Sequence, residues 1–114
     1  MTNLIQKDDE EIDGLNGQLT VAYIKYLKLN HTATDNNKSA LAREINTLYM
    51  QLAVMAVDKG LEDLYQIPDD ITKLVRRGEL TMQDIPGMVQ PFNEPVIEMH
   101  IDEALIDKMK YQEN

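Results

Sequence analysis

Apolar residues recur at helical spacing along most of this chain. Leu15, Leu19, Ala22, Tyr23, Tyr26 and Leu27 fall at i, i+4, i+7, i+8, i+11 and i+12, which predicts a first helix over 15–29. Lys25 and Lys28 suit the negative end of its dipole, whereas Gly14 and Gly17 interrupt the pattern at its start. The polar stretch 30–37 reads as a connection. Leu41, Ile45, Leu48, Tyr49, Leu52, Met55 and Ala56 then form an unbroken apolar stripe, with Asp35 or Asn37 able to cap its start. Val54 and Val57 widen that stripe, so the second helix is expected to be central and contacted from more than one side. Lys59-Gly60 is a C-terminal signal, with glycine supplying the left-handed residue after the helix.

Shorter elements follow. Leu61, Leu64, Tyr65 and Ile67 suggest a helical turn ended by Pro68. Asp69 and Asp70 open a third helix whose inward residues are Ile71, Leu74 and Val75, with Arg76 and Arg77 closing it before Gly78. Thr81-Met-Gln-Asp84 resembles a capping box with Asp in place of Glu, and Pro86 and Gly87 limit the helix it starts. Pro91 and Pro95 bracket an irregular crossing around Phe92. From Pro95 to Asp102 the period changes to two: Ile97, Met99 and Ile101 alternate with Glu98, His100 and Asp102, the pattern of a half-buried strand. Beyond it Leu105, Ile106 and Met109 return to helical spacing. The expected fold is therefore mainly α, a small bundle of four to five helices with one minor β element near the C-terminus. Residues 1–13 read as an acidic, flexible segment and 14–114 as a single helical domain.

A lone strand leaves its backbone donors and acceptors unpaired. It needs an internal partner not legible in the sequence, a second copy of the chain, or a strand from another protein. The segment around 96–101 is for that reason a candidate site of self-association.

Charge narrows the function. The chain carries 20 acidic and 11 basic residues, a formal net charge of −9. Binding to bare nucleic acid rests on cationic neutralisation of phosphate, and anionic membranes make the same demand, so neither is expected as a direct partner. A basic protein surface is. The longest apolar-rich run, Leu48 to Val57, is about half the length a membrane-spanning helix needs. The start, MTNLIQKDDEEID, lacks the pattern of a signal peptide, and with no cysteine in the chain a cytoplasmic setting is expected.

The chemistry-bearing residues are few. Glu10 and Asp13 have the E-x-x-D spacing with which the all-helical nucleotide pyrophosphatases hold magnesium, but the chain contains no E-x-x-E to complete that set. His31 and His100 are far apart and lack a cysteine or a nearby histidine for a zinc site. Ser39, the only serine, sits at a helix start, where capping explains it. The segments 69–77 and 81–90 outline a helix-turn-helix, yet 81–90 contains no Lys or Arg to meet DNA. The reading is of a non-enzymatic, cofactor-free accessory protein that binds another protein and modulates or inhibits it. In size and charge it is like many phage or mobile-element products. A structural subunit of a larger assembly, such as a virion component, is the alternative, and a magnesium-dependent enzyme using clustered carboxylates is a third. The residues expected to meet a partner are Asp8, Asp9, Glu10, Glu11 and Asp13, with Glu98 and His100 on the polar face of the strand, then Glu62, Asp63, Asp69 and Asp70.

Overall fold

The computed structural model describes residues 9–29 and 35–98. They form four helices in the order α1 Glu10–Leu29, α2 Asp35–Asp58, α3 Asp69–Arg76 and α4 Ile85–Val89. The protein is mainly α, as the periodicity indicates, and no strand occurs among the described residues.

The central element is α2. It packs against α1 on one side and against α3 and α4 on another. Burial runs around the helix: Ala42, Ile45, Tyr49, Leu52, Val54 and Ala56 are all inside. Three apolar clusters divide along it. Ile12 of α1 meets Leu52, Ala53, Ala56 and Ile67. Farther along, Leu19, Ala22 and Tyr23 meet Ile45 and Tyr49. On the opposite side Met50 and Val54 meet Leu80, Ile85 and Val89. Each buried aliphatic of this kind contributes roughly 1.5–3 kcal/mol through removal from water, which is what holds short helices such as α3 and α4 in place.

One geometry closes the chain three times. At the end of α2, Leu61 N donates to Ala56 O (2.7 Å) and Gly60 N to Val57 O (3.1 Å), with Gly60 at φ 73°. After α3, Glu79 N donates to Leu74 O (2.9 Å) and Gly78 N to Val75 O (3.0 Å), with Gly78 at φ 76°. Both are Schellman turns, and both glycines stand where the sequence places them. The third ends the helical turn 62–66: Ile67 N donates to Glu62 O (2.8 Å) and Gln66 N to Asp63 O (3.2 Å). Here the left-handed position is Gln66, at φ 55°. A non-glycine residue in this region is strained by roughly 1–2 kcal/mol.

Three expectations change. The first helix begins at Glu10, not at residue 15, so residues 10–13 of the segment read as a flexible acidic arm are helical. Ile12 is completely buried there, an apolar position that the glycines at 14 and 17 separate from the clear part of the pattern. The second is the strand. Pro95 to Glu98 forms a bend and a coil without strand pairing, and Met99 to Asp102 lies outside the described residues. The helix expected over 81–90 is a turn at 82–84 followed by the single turn α4, with Pro86 near its start, where a missing N–H costs nothing.

Candidate interaction surface

The acidic N-terminal edge is built by mutual capping. Asp9 stands just before α1, and its Oδ1 accepts hydrogen bonds from Glu11 N (3.0 Å) and Ile12 N (3.1 Å), satisfying two of the free donors of a helix start. Its Oδ2 accepts from Lys59 Nζ at 2.8 Å, just beyond the end of α2, so α1 and α2 run antiparallel. Tyr65, in the 62–66 turn, completes the clamp. Its hydroxyl accepts from Asp9 N (2.9 Å) and donates to Asp13 Oδ1 (2.7 Å). The hydrogen bond from Lys59 is the main reason that the Asp9 carboxyl is held below the usual carboxylate range, with the Ile12 amide adding to it. The same contact raises the Lys59 ammonium above its ordinary value.

The acids expected to meet a partner therefore divide. Asp9 and Asp13 are committed to the clamp. Glu11 lies 3.7 Å from Lys59 but is largely exposed. Glu62 is paired with Arg76 at 2.5 Å. Glu79, 3.9 Å from Arg77, is likewise engaged at the end of α3. Glu10, Asp63, Asp69 and Asp70 are exposed and make no ion pair among the described residues. Glu98 is exposed at the last described position, on the lip of an opening shared with Tyr49, Tyr65 and Val96. Asp8, His31 and His100 lie outside the described residues.

Val96, in the described part of the segment read as a strand, has its backbone N–H met by a side chain. Asn46 on α2 is fully buried. Its Nδ2 donates to Glu94 O (3.1 Å) and its Oδ1 accepts from Val96 N (2.8 Å). A carboxamide presents a donor and an acceptor as a peptide unit does, so Asn46 satisfies two backbone groups of the C-terminal arm at 94–96 from within a helix. Nothing in the sequence marks Asn46, which stands among the polar residues Arg43, Glu44 and Thr47.

A groove on the outer side of the α1–α2 pair was not read from the sequence. One part, about 370 Å³, is lined by Glu10, Glu11, Leu15, Met55 and Met82. The next, about 530 Å³, is lined by Gly17, Val21, Ala22, Lys25, Glu44 and Leu48. Gly14 and Gln18 line both, which makes them halves of one depression. Val21 and Met82 expose 38% and 42% of their surface, so each half carries a large apolar side chain in water. The signal that could have found the groove is the glycine pair three residues apart inside a helix.

Among the described residues no three His, Asp or Glu side chains converge as they would to hold a metal ion. No described helix is long and apolar enough to cross a membrane. Thr81 N and Thr81 Oγ1 both donate to Asp84 Oδ2 (3.3 and 2.8 Å), but this contact lies in the turn before α4, which starts at Ile85 without a side-chain cap, so the capping box read from the sequence does not begin a helix. The chain matches no protein-family model, and no significant likeness to a curated protein or a solved structure is found.

Proposed function

We propose that this chain is a small acidic accessory protein that docks on a basic surface of another protein and modulates or inhibits it. The observation that supports this reading is the split among its acids. The fold uses Asp9, Asp13 and Glu62 for its own capping and pairing. Glu10, Asp63, Asp69 and Asp70 are left facing water with no ion pair among the described residues. With a net charge of −9 behind them, they project a negative field that steers a cationic partner and speeds association.

Affinity capture from the native cell, followed by stopped-flow mixing with the captured protein, tests it. The association rate should fall steeply as salt rises, because surface charges are screened within about 8 Å at physiological ionic strength. A rate that stays flat across the salt series, or a chain that retains no protein at all, would refute this function.

A further inference from the structure

The groove between α1 and α2 bears on what kind of partner this is, and the inference rests on the protein-binding reading above. Its floor is apolar and adaptable: Leu15, Met55 and Met82 in one half, Val21, Ala22 and Leu48 in the other. Methionine fits differently shaped partners at low cost. Its charges are ordered along its length. Lys25 and Glu44 share one end and offset each other, whereas Glu10 and Glu11 share the other, Glu10 with no ion pair among the described residues and Glu11 exposed with Lys59, outside the lining, at 3.7 Å. The span of α1 from Glu10 to Lys25 is roughly 22 Å at 1.5 Å per residue, about four helical turns.

The glycines supply an independent argument. Gly14 and Gly17 are helical, neither has a positive φ, and a Cβ built on either meets nothing within 4 Å. Neither backbone conformation nor close packing requires them. Each nevertheless costs the helix about 1 kcal/mol relative to alanine. What their missing side chains provide is space along the middle of the groove, where a third helix at the usual 8–10 Å interaxial distance brings its own side chains close to the α1 backbone.

We propose that this groove receives an amphipathic helix of about four turns, its apolar face against Val21, Leu48, Met55 and Met82 and its Lys or Arg residues at the end that meets Glu10 and Glu11. This is helix-in-groove recognition with a charge-set direction. The acidic rim selects a cationic partner over a second copy of this chain, which would bring Glu10 and Glu11 toward another acidic body.

The test uses a fluorescent 18-residue Leu/Lys peptide of amphipathic pattern and a scrambled peptide of equal composition. Fluorescence anisotropy is measured with the full chain at two salt concentrations. The patterned peptide should bind at least tenfold tighter than the scrambled one. Gly17→Leu, which favours the helix while filling the groove, should lose at least tenfold in affinity with its thermal melt retained. Glu10→Lys/Glu11→Lys should lose as much, whereas Asp58→Lys/Glu94→Lys, the same change in net charge at exposed positions outside the groove and outside the acids assigned to the partner, should lose less than threefold. Equal binding of the two peptides, equal losses in the two charge variants, or an unaffected Gly17→Leu would each overturn the proposal. So would sedimentation showing that Gly17→Leu abolishes a dimer of the wild-type chain. A native partner retained equally well by Gly17→Leu would overturn the groove and leave the binding function standing. Peptide binding at the groove by a chain that captures no native protein would do the reverse.

Discussion

The two sides of α2 are finished differently. Toward α3 and α4, Met50 and Val54 are sealed by Leu80, Ile85 and Val89, all buried aliphatic positions contributed by short segments. Toward α1, the inner face is as well packed, with Ile12, Leu19 and Tyr23 inside, but the outer rim of the same helix pair stays open over Gly14, Gly17 and Val21. The closed side shows how little helix is needed when side chains interlock: α4 has five residues and survives on burial. The open side shows the converse. A helix of 20 residues tolerates two glycines in positions where packing has no use for a side chain. Both sides of α2 are packed, and what sets the α1 side apart is the apolar groove left open along its outer rim.

That contrast can be broken by truncation. Ile85→Ala on the closed side should cost about 2–5 kcal/mol, because it removes buried methyl groups and leaves a cavity. Val21→Ala on the open side should stay within about 0.5 kcal/mol of wild type. Urea denaturation of the two variants decides it, and similar losses would mean that the groove is part of the core. Next in size is Asn46→Ala. It removes the two hydrogen bonds that hold the arm at Glu94 and Val96 and should cost about 1–3 kcal/mol. Hydrogen exchange should rise at the Val96 amide while α1 keeps its protection.

Two smaller effects sharpen the comparison by raising stability. Gly17→Ala should gain about 1 kcal/mol if the position is as open as it stands, since only helix propensity changes. Gln66→Gly should gain less, at most about 1 kcal/mol, because the relief of a left-handed non-glycine residue is partly offset by a looser unfolded chain. A loss from the first would show that a Cβ at Gly17 is not free; a loss from the second, that the Gln66 side chain carries contacts the turn needs. Smallest is the pH effect at the clamp. Asp9 has a lowered pKa, so its contribution is present at neutral pH and is lost as the pH falls from about 4 downward through that lowered value. Lys59 has a raised pKa, so its share persists through neutral pH and fades only as the pH rises through its raised value. Asp9→Asn keeps the cap and removes the charge. Its melting temperature should trail wild type at pH 7 and converge with it in acid, and a constant gap would assign the effect to capping geometry.

Much of the framework was legible as periodicity and punctuation. The stripe from Leu41 to Ala56 marked α2, the valines beside it marked α2 as central, and Gly60 and Gly78 marked two helix ends. Those features depend on neighbours three or four residues apart, which a sequence displays directly. The start of α1 was obscured because Gly14 and Gly17 weaken the local pattern, while Ile12 is buried by Leu52 and Ile67, far away in the chain. The alternation of Ile97, Met99 and Ile101 suggested a strand; its described part, Pro95 to Glu98, is a bend held by Asn46 at Val96, and the rest lies outside the described residues.

The sequence by itself determined the helical class, the central helix, the placement of the glycine-capped turns and the excess of negative charge, because each follows from residue type and short-range spacing. Only the tertiary structure decided which acids are consumed by Lys59, Tyr65 and Arg76, which side chain meets the Val96 N–H, and where the helix pair leaves a groove. These depend on groups brought together from about 14 to 56 residues apart, and packing chooses such partners by geometry that no local pattern encodes.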